Sequence, residues 1–422
     1  MNNFIKKCIF LFAIVIALCP RLFAQTNERY ILNCLSSIGA EIQREYYLPI
    51  DESTLFSASA KEIALKKNIA PKKINSKEEF YSYFLELCRK YPQETNLLGE
   101  YAVRGMINSL NDPYALFFNT NQWESYRKVS AGSEFAGIGV ELAMKGKYFE
   151  VIAPISAGPA ERVGILPGDI IIAIDLQDIS KIDLTDALNL FDGYAGSEIK
   201  LKIKRSNKVI DFSIKRENII LPPPKASILK SKNGNVGYIK IHYFSDKTDS
   251  QVKTFLDKFK SNDIKNIIID LRNNPGGDFQ TSLRLASLFT GKNILVKLQK
   301  KGSFEDLYGS FDRMYNFKTV VLINKGSASA SEVFACALKE NGKCILIGTT
   351  SFGKALVQSV YSLPGNAGCK LTTAKYYNAK GGDISNKGIT PDIKAETIYP
   401  MTTPSSDPVI TKAINTLSNK QL

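Results

Sequence analysis

Hydrophobic and polar residues alternate with two different periods along this chain of 422 residues. In roughly the first quarter, apolar residues recur every three or four positions, as in EEFYSYFLELCRKY at 78–91, and this spacing predicts amphipathic helices. Between 132 and 217, short apolar runs alternate with glycine turns, which predicts strands and one helix at 184–191. From Val236 onward, helical segments alternate with continuous apolar strands such as NIIIDLR and TVVLIN. This alternation predicts a sheet covered by helices.

These changes of pattern predict an α/β (α+β) multidomain protein. We assign a leader to 1–24, a helical N-terminal region to 25–131, a β-rich domain with one helix to 132–217, an α/β core to 218–400 and a tail helix to 401–422. The LPPP stretch at 221–224 predicts a stiff connection between the β-rich domain and the core.

The leader has the pattern of a signal peptide. Lys6 and Lys7 precede an apolar run at 8–18 that is too short to span a bilayer, and Ala24 is a small residue suited to cleavage. We therefore expect export to the periplasm or cell envelope, with an uncleaved membrane anchor as the alternative.

Charge and metal-binding residues narrow the expected partners. The formal net charge is +14, but the lysines are spread along the chain rather than clustered with aromatic residues. We therefore favour a solvated surface over one that binds nucleic acid or lipid. The cysteines lack C-x-x-C spacing, and His242 is the only histidine. Neither a metal nor another cofactor is predicted, and one disulfide remains open.

A glycine loop, Gly137-Ile138-Gly139-Val140, leads into a predicted strand. Glycine allows successive backbone amides to converge on a carboxylate, and an extended peptide could add to the neighbouring strand. The helix at 184–191 would supply an apolar wall for the peptide's last side chain. The loop alone also fits an ordinary turn, but together with GPAERVGILPGD at 158–169 it resembles a PDZ domain.

Two segments after predicted strands could carry a catalytic site. NNPGG at 273–277 could present backbone amides to a ligand or form a tight turn. KGSASASEVF at 325–334 contains three serines, and Ser329 and Glu332 have the spacing of a capping box. Ser329 could therefore be only a helix cap. A helix start after a strand also suits a nucleophile, because free amides there stabilise an oxyanion. The local sequence leaves both interpretations open.

SFGKALVQ at 351–358 contributes a candidate base, Lys354, between apolar segments. Burial can lower the pKa of a lysine by the roughly 3 units that a base near neutral pH needs. An ordinary surface lysine is the alternative.

Together the motifs resemble those of the carboxy-terminal processing peptidases, or tail-specific proteases, which are serine peptidases with a Ser–Lys pair. The likeness extends from about Tyr101 through NSLNDPYALFF, LRNNPGG, GSASASEVFA, GTTSFGKALVQ, LTTAKYY and KGITPDI. It implies a PDZ domain inserted into an α/β core of the crotonase/ClpP-like type. Ala355, where a glycine is usual, and YYNAKGGDIS at 376–385 depart from the family pattern.

The resemblance also implies roles for individual residues. Ser329 would be the nucleophile, Lys354 the general base and Gln358 the residue that orients the amine. The loop at 137–140 would bind the substrate's C-terminus. In some relatives the PDZ domain gates the site, which leaves room for a resting state with Lys354 displaced.

The oxyanion hole implied by the resemblance consists of the backbone amides of Ala330 and of Gly276 or Gly277. Some relatives have an aspartate at the position of Glu340, for which we expect no firm catalytic role.

Geometry adds a requirement of its own. In an extended chain the side chains of Lys354 and Gln358 would stand about 13 Å apart. They can meet only if the chain turns helically, which brings i and i+4 to about 6 Å. The catalytic interpretation thus predicts a helical turn after Lys354, with the strand starting later.

The predicted function is an exported serine endopeptidase that binds apolar, free C-termini of protein substrates and cleaves near them. An adaptor protein and a homodimer formed through the helical N-terminal region remain open. Two alternatives remain: a catalytically silent PDZ protein that only binds C-termini, and a Ser–His hydrolase, which would need His242 beside the nucleophile.

Overall fold

The computed structural model describes residues 28–130, 135–182, 187, 189–191, 193–231, 234–401 and 403–418. The chain forms two compact units, one of Met1–Arg44 and Ile50–Asn111, the other of Glu45–Pro49 and Asp112–Leu422. The predicted leader and half of the predicted helix at 184–191 lie outside the described residues. Among the helices that are described, none is long and apolar enough to cross a membrane.

Helices make up the first unit, as the periodicity predicts. They are α1 (Glu28–Glu45), α2 (Glu52–Lys66), α3 (Lys77–Lys90) and α4 (Thr95–Asn108), with a 3-10 turn at Pro92–Glu94. The side chain of Ser76 accepts the Glu79 N–H and so caps the start of α3. α2 and α4 pack closely because Gly105 has no side chain, and a Cβ there would lie 2.5 Å from the Ala58 carbonyl oxygen.

The second unit begins with β1 (Leu116–Phe118) and α5 (Thr120–Ser130) and continues into the β-rich domain. The elements of that domain are β2 (Phe135–Gly137), β3 (Val140–Lys145), β4 (Tyr148–Pro154), α6 (Pro159–Arg162), β5 (Ile170–Ile174), β6 (Gln177–Asp178), β7 (Glu198–Arg205), β8 (Lys208–Lys215) and β9 (Glu217–Ile219), with a 3-10 turn at Ile179–Lys181.

The main sheet of the β-rich domain has the order β3-β4-β5-β7-β8, with β6 beside β5. In β7, Ile199, Leu201 and Ile203 are buried while the intervening residues are exposed, as expected for a strand with one face on a core. β3 ends the order, so its outer edge is unpaired among the described residues.

The α/β core contains two sheets. Its elements are β10 (Lys225–Leu229), β11 (Val236–Lys240), α7 (Thr248–Ser261), β12 (Asn266–Asp270), α8 (Phe279–Thr290), β13 (Ile294–Lys300), β14 (Ser303–Tyr308), β15 (Lys318–Ile323), α9 (Ala330–Glu340), β16 (Ile345–Gly348), β17 (Leu356–Leu363), β18 (Ala367–Asn378), β19 (Ile393–Lys394) and α10 (Pro408–Ser418). One sheet has the order β10-β11-β12-β15-β16-β19, parallel from β11 onward. The other has the antiparallel order β1-β18-β13-β14, with β17 beside β18.

Helices cover both faces of the parallel sheet, which explains its continuous apolar strands. Ile267 and Ile269 of β12 belong to the core cluster that includes residues of α7, α8 and α9. Ile268 belongs to the opposite cluster, with Val409 and Ile410 of α10. The predicted sheet with helices packed on it, and the predicted fold class, are confirmed.

The prediction of a helical turn after Lys354 is wrong. β17 begins at Leu356, which pairs with Lys375 of β18, and the Tyr376 N–H donates to the Ala355 carbonyl at 2.9 Å. Sheet pairing therefore reaches back almost to Lys354 and leaves no residues for a helical turn. A register shift between Val357 and Gln358 interrupts the pairing instead.

Candidate active site

The parallel pairing of β12 and β15 brings two predicted loops together. Asp270 pairs with Leu322, so the segments that follow leave the sheet at the same end. The loops then bind each other directly, because the Ala328 N–H donates to the Asn274 carbonyl at 3.1 Å. This end of a parallel sheet is where ligands bind in α/β proteins.

The structure distinguishes among the three serines of the second loop. The Ser327 hydroxyl is buried and donates to the Leu271 carbonyl at 2.8 Å. The Ser331 hydroxyl is buried and donates to the Asn274 carbonyl at 3.0 Å. Ser329 is partly exposed between them. Ser327 and Ser331 hold the loop together, which leaves Ser329 as the serine able to reach a substrate.

Ser329 has a backbone conformation that an ordinary helix cap does not need. It precedes α9 with φ 53° and ψ −118°, whereas cap residues usually adopt extended backbone. A positive φ in a residue other than glycine is strained and tends to occur at functional sites. The cap and nucleophile interpretations thus fall on one residue, and the strain favours the second.

A buried carboxylate, Glu332, connects Ser329 to Lys354. It accepts the backbone N–H groups of Ser329 at 3.0 Å, Gly353 at 2.7 Å and Lys354 at 2.9 Å, and the Ser351 hydroxyl at 2.5 Å. Burial raises the pKa of Glu332, and these four donors oppose that shift. The sequence indicated only its capping spacing, since most of its partners lie about twenty residues further along.

Backbone amides near Ser329 suit the predicted oxyanion hole, with one refinement. A Cβ on Gly276 would lie 2.8 Å from the Ser329 Cβ and 3.0 Å from the Ala330 nitrogen, so this glycine borders Ser329. Its own N–H donates to the Asn274 side chain at 2.9 Å. Among the hydrogen bonds of the described residues, none engages the N–H of Ala330 or Gly277. These two amides are therefore the better placed donors.

Lys354 is buried close to this loop, but its amine points elsewhere. The residue is only 8% exposed. Its amine lies over the Tyr114 ring, 4.7 Å from the ring centroid. The Tyr376 hydroxyl donates to the Lys354 carbonyl at 2.7 Å and to the Ser329 carbonyl at 3.2 Å. No hydrogen bond between described side chains joins the Ser329 hydroxyl to the Lys354 amine.

Gln358 contacts a different partner from the one expected. Its side-chain amide lies 3.4 Å from the Thr372 hydroxyl, across the pair of strands β17 and β18. Lys370, two residues before Thr372 on β18, is a second amine near the site. Burial, and next the charge of Lys354, lower the pKa of Lys370 to about 8.

Glu340 and His242 lie away from this arrangement. The Glu340 carboxylate, at the end of α9, pairs with Lys380 at 2.9 Å. His242 lines a cavity of about 760 Å³ to which Ser329 does not contribute. Burial, and next the charges of Lys240 and Lys225, lower the pKa of His242 to about 4. The structure gives His242 no contact that a Ser–His mechanism would need.

A buried charge network anchors the end of β12, and the sequence analysis missed it. Asp270 accepts the Tyr238 hydroxyl at 2.9 Å and pairs with Lys240 at 3.2 Å and Arg272 at 2.7 Å. Arg272 also pairs with Asp407, just before α10, at 2.8 Å. Burial alone would raise the pKa of Asp270, but the two cations hold it below its ordinary range. Charged residues closing the apolar strand NIIIDLR were the available signal.

The glycine loop of the β-rich domain is ordered by its own carbonyls. The Ile155 N–H donates to Gly139 at 2.8 Å, and the Ala160 N–H donates to Ile138 at 2.9 Å. Gly139 has φ 70°, a conformation that favours glycine. Beyond the loop, the far end of β3 borders an apolar cavity of about 250 Å³ that Ala187 also lines.

The β-rich domain contacts the loop at 325–329, which ends in Ser329, within the second unit. Ala143 and Ile152 form a buried apolar cluster with Ala328. Glu150 of β4 pairs with Lys325 at 3.0 Å. A shift of this domain would therefore act on the segment that carries Ser329.

Comparisons with known proteins agree with this arrangement. Residues 235–395 match the model of peptidase family S41, and residues 136–215 match a PDZ domain. The chain thus combines a peptidase-family region with a PDZ domain.

The chain contains a domain that belongs to peptidase family S41, and it is similar to proteins named as C-terminal processing or serine proteases. It is 37% identical over 298 residues to the carboxy-terminal processing protease CtpA of Bacillus subtilis, covering 70% of this chain and 63% of that protein. A probable CtpA-like serine protease of Staphylococcus saprophyticus is 34% identical, covering 71% of this chain and 61% of that protein. The chain therefore spans about three fifths of these relatives.

Among solved structures, the photosystem II D1 C-terminal processing protease matches with a TM-score of 0.71 and 25% identity, covering 87% of this chain and 93% of that one. The predicted family is confirmed by these matches.

Proposed function

We propose that this protein is an endopeptidase that cleaves proteins near their C-termini, with Ser329 as nucleophile and Lys354 as general base. The main support is the geometry of the segment that carries Ser329. Ser329 is the partly exposed serine, it stands at a strained helix start, and one buried carboxylate, Glu332, binds its backbone together with that of Lys354.

In the proposed reaction, the neutral Lys354 amine takes the proton of the Ser329 hydroxyl as its oxygen attacks the scissile carbonyl carbon. The resulting oxyanion accepts the N–H groups of Ala330 and Gly277. The C–N bond then breaks, and the Lys354 ammonium protonates the departing amine. In the second half of the reaction, Lys354 takes a proton from water as the water oxygen attacks the acyl carbon. The ester C–O bond then breaks, and the Lys354 ammonium returns the proton to the Ser329 oxygen. Gln358 would orient the amine once it has turned toward Ser329.

Binding of the substrate is assigned to the PDZ domain. A free, apolar C-terminus would add to the unpaired edge of β3, and amides of the loop at 137–140 would hold its carboxylate. We further propose that the protein is exported to the periplasm or cell envelope. An adaptor protein and a homodimer remain open parts of this proposal.

Cleavage of an unfolded protein with an apolar tail tests the mechanism. Ser329→Ala and Lys354→Ala should each reduce kcat by at least about a thousandfold while tail binding persists, because the nucleophile and base act as a unit. Retained cleavage in either variant would contradict the mechanism. His242→Gln should leave cleavage intact, and loss of activity with normal folding would favour a Ser–His hydrolase.

The resting position of the Lys354 amine also fits a catalytically silent protein that only binds C-termini. Tail binding without cleavage by the wild-type chain, under conditions where the chain is folded, would establish that second function.

A further inference from the structure

Among the described side chains, the face of Tyr114 is a direct contact of the Lys354 ammonium. The amine lies 4.7 Å from the ring centroid, within the range in which an aromatic face attracts a cation. No carboxylate of the described residues forms an ion pair with it. The Glu332 carboxylate accepts the backbone N–H of Lys354 and does not pair with its amine.

The Tyr114 ring is held firmly enough to act as a fixed contact surface. It packs against Ala143 and Ile152 of the PDZ domain and against Ala328, which precedes Ser329. The PDZ domain and the loop that carries Ser329 therefore both support the ring. Its backbone N–H donates to the Asp112 carboxylate at 2.9 Å. Burial raises the pKa of the Tyr114 hydroxyl, which keeps the ring neutral. No hydrogen bond of the described residues uses that hydroxyl, so any effect on Lys354 comes from the ring face.

Charges of both signs surround the ring that the amine contacts. The carboxylates of Glu332, Asp112, Glu150 and Glu141 act on the Tyr114 hydroxyl. Lys370, on β18, carries a like charge, and burial followed by the charge of Lys354 lowers the pKa of Lys370. Glu141 of the PDZ domain and Asp112 act on Lys370. Glu332 and the neutral Tyr376 hydroxyl bind the main chain of Lys354. None of these carboxylates forms an ion pair with the amine, so the Tyr114 ring is the group that touches the ammonium among the described side chains.

We propose that Tyr114 is a positioning residue whose ring holds the Lys354 ammonium away from Ser329 in the resting enzyme. This inference rests on the proposed function, in which the neutral amine is the base. Because the ring attracts the ammonium and not the neutral amine, it favours a protonated, displaced lysine. Catalysis would begin when the amine leaves the ring and loses its proton to solvent.

The test compares Tyr114→Leu, which removes the ring but keeps apolar packing, with Tyr114→Phe, which keeps the ring and removes a hydroxyl without hydrogen bonds. In Tyr114→Leu we expect the acid limb of the kcat pH profile to move to lower pH. The value of kcat at neutral pH should rise by about 3- to 30-fold, the range that cation–π attraction spans. Tyr114→Phe should keep the wild-type profile. If Tyr114→Leu does not fold, Tyr114→Met serves the same purpose.

A second measurement needs no catalysis. In a Ser329→Ala background, the rate at which Lys354 reacts with an amine-specific reagent, followed by mass spectrometry across pH, reports the free neutral amine. It should be higher for Tyr114→Leu than for Tyr114→Phe. Equal pH profiles and equal labelling in the two variants would overturn the proposal, and so would a shift of the acid limb to higher pH. Activity retained by Lys354→Ala would instead contradict the proposed function, while the labelling result would still judge Tyr114.

Discussion

At the scale of single residues, Glu332 shows how one carboxylate can assemble a site from distant segments. It lies at the third position of α9 and reaches both the start of that helix and the segment at 351–354. A buried carboxylate can accept several hydrogen bonds at once, which an amide of the same shape cannot, because the amide presents its own donors.

Glu332→Gln tests this role. The amide nitrogen would face N–H and O–H donors, so we expect the free energy of unfolding to fall by about 2–3 kcal/mol. We expect kcat to fall by about a hundredfold or more, because small displacements at a reacting centre have effects of that size. Urea denaturation and steady-state kinetics provide the measurements.

The matched control is Glu340→Gln, at the other end of the same helix, where the partly buried carboxylate pairs with the exposed Lys380 and accepts the Asn378 side-chain amide at 3.3 Å. It should change neither quantity appreciably. Wild-type kcat in folded Glu332→Gln would contradict the assembling role.

The sequence was informative about residues whose neighbours are close along the chain. Capping spacing and the resemblance to the family both pointed to Ser329, and the resemblance pointed to Lys354. It could not reveal Tyr114 as a partner of Lys354, because 240 positions separate the two and only folding brings ring and amine together.

At the scale of elements, the loop after β12 approaches Ser329 so closely that a side chain at Gly276 would clash. Gly276 has φ 112°, and a Cβ there would lie 2.8 Å from both the Ala328 oxygen and the Ser329 Cβ. The sequence predicted a glycine loop with amides facing a site, but not which amide was already engaged.

Gly276→Ala should therefore damage the site beyond the cost of its backbone conformation. The new Cβ would lie 3.0 Å from the Ala330 nitrogen and displace that N–H, which we assign to the oxyanion hole, so we expect kcat to fall by at least about a hundredfold. Gly234→Ala is the matched control: Gly234 has φ 108°, and a Cβ there meets nothing within 4 Å. Both variants should lose about 1 kcal/mol or more of stability from the strained φ, but only Gly276→Ala should lose activity. Equal kinetics in the two would contradict the close approach.

The failed turn after Lys354 has a similar origin at this scale. The helical turn was predicted only because it would bring one pair of side chains, Lys354 and Gln358, into contact. Pairing of the long strand β18 with β17 decided the backbone instead, since a ladder of hydrogen bonds outweighs one side-chain contact.

At the scale of the whole molecule, the order of domains and the α/β core followed from periodicity, because strand and helix periods differ so clearly. The internal charge network did not follow, since Asp270 and Asp407 are 137 positions apart. Only the packing of α10 against the parallel sheet brings them to the same guanidinium group.

The stability of the folded chain should depend on pH through His242. Its pKa lies at about 4 in the folded chain and near 6.5 in an unfolded one. The folded state therefore binds fewer protons between these values, so stability is complete above pH 6.5 and declines as the pH falls toward 4. We expect a loss of about 1–2 kcal/mol between pH 7.5 and 5, allowing for partial solvent access.

Urea denaturation at the two pH values measures that loss. The Gln side chain of His242→Gln gains no proton. The free energy of unfolding of this variant should therefore fall by about 1–2 kcal/mol less than that of the wild type between pH 7.5 and 5. The same pH dependence in both chains would rule out His242 as its source.

Two unpaired strand edges have a consequence for the choice of targets. β3 lies in the PDZ domain, and β17, which starts two residues after Lys354, has β18 as its one partner among the described strands. Only an extended chain with free main-chain groups can add to such edges. A tail folded into its own protein already satisfies those groups. The rate of cleavage would then follow the free energy needed to unravel the tail, and the enzyme would respond to the physical condition of a protein more than to its sequence.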